Sequence, residues 1–444
     1  MAYIAVKGMQ DVYKDEAAAF NYIEEVFKAV CNLYGYHEFR TPVLEYTEVF
    51  DRSTGESSDI VRKEMYTFLD KGDRSVTLRP EFTAGVIRSV VENKLYATED
   101  LPIKACYVGP VFRYDRPQLG RYRQFTQAGV ECIGQDSARV DAETICLAIQ
   151  ILSMLGFENL TLKINTIGDG ESREKYRAAL KAFFEPKIST MCEDCQQRIK
   201  LNPMRILDCK VEADQAIAKG APKMKDFLSE ASEKRFYETL SIIHDLGIEY
   251  EIDDSLVRGL DYYGEVVFEI HAKSKAGIDY GALLGGGHYD GMLKTFGGPE
   301  MAGVGFAFGL ERVYSVMKDN DLFKELDNGL DVYVMPVGES VLDDVFELTS
   351  EIRTLGYSAE TPFSALKLGS QFKKAEKRGA KYAIILGEDE LNKGVAQIKN
   401  MKTQEQKEFK LDQLEETLDA AFGEADDDGC GETHEHKTQK EEKK

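Results

Sequence analysis

Apolar side chains recur at helical spacing through "DEAAAFNYIEEVFKAVCNLYGY", so a helix is predicted there, closed by Gly35. The following "HEFRTPVLE" reads as extended at Thr41-Pro42, because the residue before a proline is steered out of the helical region. Further extended segments are predicted around 75–79 and 103–114. In "VFRYDRPQLGRYRQF", residues 111–125, arginines and aromatics alternate with the period of two that puts successive side chains on opposite faces of a strand. A hairpin is therefore predicted, with a return strand over 121–134 and "DRPQLG" as its turn. Arg113, Arg116, Arg121 and Arg123 would share a face and converge on something anionic. A helix follows over 137–156, with Ile145, Ile149, Leu152 and Leu155 as its apolar stripe.

From about 168 to 247 the pattern turns charged and helical between Gly168 and Gly247, as an inserted module would. Strand patterning resumes in "IEYEIDDSLVRGLDYYGEVVFEIHA". The cluster "LGGGHYDG" reads as a tight turn between strands, close to a ligand. "GVGFAFGLERVYSVMK" is an apolar strand running directly into a helix. Beyond it, "LDVYVMPV", a helix near 340–355, "YSAE", the lysine-rich "LGSQFKKAEKRGAKY", "AIILG" and "AQIKN" alternate strand and helix as a small α/β domain would. Lys373, Lys377 and Lys381 fall at i, i+4 and i+8 there, with Lys374 and Arg378 beside them, giving a basic stripe. The fold class is thus α+β with a mainly antiparallel sheet over 1–325, a helical insertion over 168–247 and an α/β domain over 326–422. Residues 423–444 are polar and nearly free of large apolar groups, a disordered acidic tail in which His434 and His436 hold no metal.

A chain of 444 residues exceeds the size at which a single core keeps growing, which fits this division. Its net charge of −22 opposes nonspecific coating of nucleic acid and excludes DNA as an expected partner, so any phosphate site must be local. No apolar run is long enough to span a bilayer, and "MAYIAVKGMQ" lacks the apolar core of a secretory signal. A cytoplasmic protein that binds no membrane is expected. The eight cysteines are scattered, several within apolar stretches, as reduced thiols that pack like small hydrophobes. "CEDC" at 192–195 with Cys209 suggests zinc, but the second CxxC or His pair is missing nearby, and core packing is the expectation.

No GxxxxGK[ST] loop occurs, and no GxGxxG follows a strand with an acidic residue at the required distance. Strand-borne arginines offer another way to hold a nucleotide, since a guanidinium fixed by sheet neighbours presents a rigid fork to phosphate oxygens.

These residues resemble a known family. "FRYDRPQLGRYRQF" looks like motif 2 of the class II aminoacyl-tRNA synthetases, "GFAFGLER" at 305–312 like their motif 3, and Pro42 in "FRTPVLE" like the proline of motif 1. "LVRGLDYY" at 256–263, "LRPEFTAG" at 78–85 and "KGMQDV" near the start are similar to stretches of the histidyl-tRNA synthetase family. The resemblance covers about residues 1–422. It departs at Asp115, where Glu is usual, and at Phe82, Thr126 and His288, where Gly, His and Arg are common.

The resemblance implies a class II catalytic fold with a C-terminal anticodon-binding domain, ATP and Mg²⁺ as cofactors, L-histidine and tRNA(His) as substrates, and a homodimer. It implies that Arg113 holds the α-phosphate and the amino acid carboxylate. Arg121 and Arg312 would grip the outer phosphates and the adenine face, with Asp115 near the adenine and Phe125 stacked on it. Arg258 would add charge at the α-phosphate, making Arg113 and Arg258 the catalytic pair. Glu81, Thr83 and Gln127 would bind the α-amino group, Glu131 and Tyr263 the two imidazole nitrogens, Tyr262 and Tyr289 would line the pocket, and Arg258 would belong to the histidine-binding set as well. Arg116 and Gln118 would touch the tRNA acceptor end, and Lys373 and Lys377 its anticodon end. The metal ligands are left unassigned. Two alternatives share the fold: a synthetase-like regulatory subunit of ATP phosphoribosyltransferase, and a non-catalytic RNA-binding protein.

Overall fold

The structure, a computed structural model, describes residues 3–53, 58, 60–98, 100–116, 121–273, 277, 279–323 and 329–423. Gln118 in the predicted turn, and the predicted tail beyond residue 423 with Cys430, His434 and His436, lie outside the described residues. Two compact units are present, Met1–Leu326 and Asp327–Lys444.

The first unit is built on an eight-stranded sheet. Its strands run in the order His37–Glu38, Ile103–Phe112, Gln124–Ile133, Gly303–Gly309, Asp279–Tyr289, Tyr263–Lys273, Leu160–Thr166, Tyr250–Ile252. The inner pairings are antiparallel and the two outermost are parallel. Side-chain alternation divides the sheet into two faces. On one, Val130, Cys132, Phe268, Ile270, Val304 and Phe306 pack under the helices Asp15–Leu33, Ala138–Met154, Glu230–Asp245 and Leu310–Asp319. Each helix buries its own stripe there, such as Phe20, Ile23, Phe27 and Val30. On the other face the same strands present Gln127, Gly129, Glu131, Glu269, His271, Gly303, Gly305 and Ala307.

Three details differ from expectation. The hairpin strands stop at Phe112 and resume at Gln124. One further ladder bond runs from the Arg113 N–H to the Arg123 carbonyl (2.8 Å), after which the Tyr114 N–H turns away to Glu64 O (2.7 Å) and the Arg116 N–H to Asp115 Oδ1 (2.6 Å). The glycine cluster is not a turn but the end of the strand Asp279–Tyr289, paired on both sides. Finally, the last helix of the charged stretch, Glu230–Asp245, returns to the sheet through Phe236, Leu240 and Ile243. The helices Gly170–Phe184 and Glu193–Leu201 form a separate core around Tyr176, Leu180, Phe184, Cys195 and Ile199.

The second unit has a five-stranded sheet in the order Ala359–Glu360, Val332–Val337, Tyr382–Gly387, Val395–Asn400, Gln406–Lys410, with its first two pairings parallel and its last two antiparallel. Helix Leu342–Thr354 buries Val345, Leu348 and Ile352 against it. The predicted basic stripe is shorter than its spacing suggests. Helix Leu368–Lys377 ends before Lys381, which pairs with Asp331 (3.1 Å), and Arg378 pairs with Glu360 (3.0 Å). Lys373 and Lys377 are exposed opposite the buried Gln371 and Ala375. Among the described residues, no helix is long and apolar enough to cross a membrane.

One polar cluster sits inside the helical layer of the first unit. His288 is fully buried, with Nδ1 3.1 Å from Asp141 Oδ1 and Nε2 3.0 Å from Asp290 Oδ1. Arg235 binds Asp141 through Nε (2.8 Å), and Asp136 and Glu265 complete the charged surroundings. Burial and the Arg235 guanidinium, whose Nη2 lies 3.0 Å from Nδ1, oppose charge on the ring, but the hydrogen bonds to Asp141 and Asp290 and the charge of Asp141 outweigh them and push the pKa up to about 9. An imidazolium satisfies both carboxylates by donating from both nitrogens.

Because the folded pKa lies above the usual ~6.5, this contribution is whole below that pH and is lost as pH rises through about 9. Its size is on the order of 3 kcal/mol. Urea unfolding between pH 6 and 9.5 should show wild-type stability falling across this window, with His288→Gln less stable but much flatter. Parallel curves for the two proteins would remove His288 from the account.

Candidate active site

The face of the main sheet opposite the four long helices carries a cavity of about 980 Å³, beside the helices Thr83–Glu92 and Met292–Thr295 that cover Ile103, Ala105, Tyr107 and Ile133. Its floor is set by a repeated pairing in which a large side chain faces a glycine on the next strand. Glu131 pairs with Gly305, Tyr107 with Gly129, and Glu269 with Gly285. A Cβ on Gly305 would stand 2.2 Å from Glu131 Oε2, and one on Gly129 2.5 Å from the Tyr107 hydroxyl. At Gly285 a Cβ would come within 2.3 Å of Arg258 Nη1. These glycines let long side chains lie flat across the sheet.

One end of the cavity is cationic. Arg113, Arg121, Arg258 and Arg312 all line it. Arg113 follows its strand directly, its Nε donating to Pro80 O (2.8 Å) and its guanidinium 5.3 Å from the centre of the Phe125 ring. Burial lowers its pKa against the opposing pull of Glu64 and Glu81. Arg312, in the first turn of Leu310–Asp319, donates from Nη1 to Ala282 O (2.8 Å). Arg121 faces Asp115 at 3.5 Å. Arg258 comes from the loop before the strand Tyr263–Lys273 and pairs with Glu269, whose other oxygen meets His271 Nε2 at 3.1 Å. Burial works against charge on Arg258, but Tyr263 and Glu269 outweigh it and hold its pKa up. Among the described residues its Nε–H has no partner.

The other end is a hydrogen-bonded nest. Glu81 accepts from the Thr83 N–H (2.6 Å) and the Ala84 N–H (2.9 Å), satisfying the start of helix Thr83–Glu92. Glu131 accepts from the hydroxyls of Thr83 (2.7 Å), Tyr107 (2.9 Å) and Tyr289 (2.8 Å). Burial pushes the Glu131 carboxyl up to about 7 despite those three donors. Tyr262 and Tyr263 close one wall, and Gln127 Oε1 is buried without a partner among the described residues.

Twelve of the residues singled out from sequence therefore meet in one cavity: Glu81, Thr83, Arg113, Asp115, Arg121, Phe125, Gln127, Glu131, Arg258, Tyr262, Tyr263 and Arg312. Tyr289 does not line it. Its ring is 1% exposed and lies behind Glu131, which it supports. Nor do the four hairpin arginines share one task, because Arg123 stacks on Tyr114 (3.7 Å) and Arg116 is exposed. Glu269, His271, Tyr107 and Glu311 were not foreseen. The first two had a signal, since Glu269 and His271 alternate with the apolar Phe268 and Ile270. Glu311 accepts from the Thr126 N–H (2.8 Å) through Oε1, while its Oε2 has no partner among the described residues and burial pushes its pKa up to about 7.

The sequence model for histidyl-tRNA synthetase matches residues 8–313, and that for the anticodon binding domain residues 331–421. A histidine–tRNA ligase of Anoxybacillus flavithermus is 45% identical over 411 residues, which is 93% of this chain and 97% of the relative. One of Bacillus subtilis is 44% identical over 414 residues, 93% and 98% of the two chains. The crystal structure of apo S. aureus histidyl-tRNA synthetase superposes with a TM-score of 0.80 at 37% identity, covering 94% of this chain and all of that one.

The glycine pairing is directly testable. Gly305→Ala must displace Glu131 or the sheet and should cost roughly 1–3 kcal/mol in urea unfolding, the range for overpacking. Gly170→Ala, where a Cβ meets nothing within 4 Å, should change stability by about 0.5 kcal/mol or less. Equal effects at the two positions would contradict the packing described.

Proposed function

The chain belongs to the histidyl-tRNA synthetase family, and from that premise we propose how its residues divide the work. It is a class II histidine–tRNA ligase: histidine is activated by ATP to histidyl-adenylate with release of pyrophosphate, and the histidyl group then passes to the 3′ end of tRNA(His). The observation that carries the assignment of roles is the meeting of four arginines and a buried carboxylate nest in one cavity.

In the first step a carboxylate oxygen of histidine attacks the α-phosphorus and pyrophosphate leaves, so no side-chain nucleophile is needed. The task is to align two anions and to neutralise charge at phosphorus. Arg113 and Arg258 are proposed at the α-phosphate, both fixed in advance by Pro80 O and Glu269. The unpartnered Arg258 Nε–H supports an anion there. Arg121 and Arg312 take the outer phosphates, and Phe125 stacks on adenine with Asp115 beside it. Mg²⁺ bound with the phosphates would supply further neutralisation, and the residue whose chemistry fits it is Glu311, with its orphaned Oε2.

At the nest, the histidine ammonium goes to Glu81, Thr83 and Gln127, whose bare Oε1 calls for a donor. Glu131 and Tyr263 take the imidazole nitrogens, with Tyr262 against the ring. A substrate lacking either nitrogen leaves a buried group unpaired, which is how such a site discriminates. Arg116, with Gln118, is proposed for the tRNA acceptor end, and Lys373 and Lys377 for the anticodon arm. We further propose a cytoplasmic homodimer. The retained arginines and the match of residues 331–421 to an anticodon-binding domain speak against a regulatory subunit or a non-catalytic scaffold.

Histidine-dependent exchange of pyrophosphate into ATP tests the reading. Arg258→Ala should lower adenylate formation by roughly 10²–10³ or more with little change in histidine binding. A single-turnover rate near wild type would remove Arg258 from the chemistry.

Glu131 gives a pH signature. Its carboxyl is ionised above about 7, so the histidine KM should rise as pH falls through that value. Glu131→Gln should raise KM by about tenfold, as expected for one lost charge-assisted hydrogen bond, and should abolish that acid limb while leaving the ATP KM unchanged. An unaltered limb in the variant would mean another group titrates.

A further inference from the structure

Three cysteines and an aspartate converge in the inserted module, outside the pocket just described. Cys192 and Cys195 flank the start of helix Glu193–Leu201, Cys209 follows the turn Pro203–Ile206, and Asp214 lies in the first turn of Glu212–Ala218. One donor atom from each lies within 4.8 Å of all the others. The spacing rule applied to the sequence sought a second CxxC or a His pair. The fourth donor is instead a carboxylate brought in by the fold.

We propose that Cys192, Cys195, Cys209 and Asp214 form a closed, four-coordinate structural site for a divalent, borderline-soft cation, zinc above all. The distances fit. Two thiolates each ~2.3 Å from a tetrahedral ion stand ~3.8 Å apart, and a thiolate and a carboxylate oxygen ~3.5 Å apart. Cys192 Sγ and Cys209 Sγ are separated by 3.8 Å, and Cys209 Sγ and Asp214 Oδ2 by 3.4 Å. A disulfide would need sulfurs ~2.05 Å apart. Asp214 is 1% exposed, and among the described residues no lysine, arginine or histidine is paired with it. The Cys192 N–H and the Cys209 thiol hold it in place, and a buried carboxylate among three sulfurs suits a bound cation.

Outer contacts are of the supporting kind. The Cys192 N–H donates to Asp214 Oδ2 (3.1 Å) and the Val211 N–H approaches Cys209 Sγ (3.5 Å), orienting two of the four donors. Three thiolates and oxygen favour zinc over magnesium or calcium, which take oxygen ligands. The ion would clamp both ends of the segment 195–214, and this segment supplies Arg205, Asp208 and Lys210 to the cavity wall. Cys195 and Cys209 also share a core with Leu256 and Tyr263, so the site braces the pocket from behind.

The test uses the full-length chain purified without chelators. Metal analysis should find about one zinc per chain, and cobalt(II) added to chelator-stripped protein should give thiolate-to-cobalt charge-transfer absorption saturating at one equivalent. Cys209→Ser should weaken that absorption, whereas Asp214→Cys should retain the site and strengthen it. Zinc removal should lower the midpoint of urea unfolding and release protected thiols to a thiol reagent. If the folded wild-type chain holds no zinc and gives no cobalt spectrum, or if Cys209→Ser leaves that spectrum unchanged, the proposal fails.

Discussion

Four guanidinium groups share one cavity, and like charges at that proximity repel unless something holds them before a substrate arrives. Here each has its own tether: Pro80 O for Arg113, Asp115 for Arg121, Glu269 for Arg258 and Ala282 O for Arg312. Two of these are neutral carbonyls and two are carboxylates, so the site stays cationic while its arginines are kept in place. Preorganisation of this kind lets fixed charge act on a developing transition state without reorganisation. It also reconciles a local anion site with a chain of net charge −22.

Much of this was legible in the sequence because strand alternation and motif order are local signals. The arginines of the hairpin, the nest around Glu81 and Glu131, and the strand running into the helix that carries Arg312 all follow from short stretches. The role of "LGGGHYDG" was not legible in the same way. Glycine within a strand is read as a turn because it weakens the ladder, and the reason for these glycines lies on other segments: Arg258 crosses Gly285, Phe306 presses on Gly286 and Tyr263 on Gly287. Tyr289 was misplaced for a related reason, since its motif cannot say whether a tyrosine touches the cavity or the residue behind it.

The cysteine cluster shows the same limit. "CEDC" is a visible half-site, but Asp214 is chemically ordinary in sequence and acquires meaning only when three short helical segments fold together. His288 is similar: in sequence it is one of four departures from the family's common residues, and only the fold places its ring between Asp141 and Asp290. The sequence identifies which residue types are present, while long-range packing decides which of them face one another.

His288 and Tyr289 are adjacent on one strand and point to opposite faces, one into the ion cluster beneath the helices and the other into the support of Glu131. A slip of that strand by a single residue would exchange them, burying a phenol among carboxylates and an imidazole behind Glu131. Misthreading here is therefore self-reporting, because a chain that folds in the wrong register loses its internal ion pairs and the hydrogen-bonded wall of its cavity at the same moment.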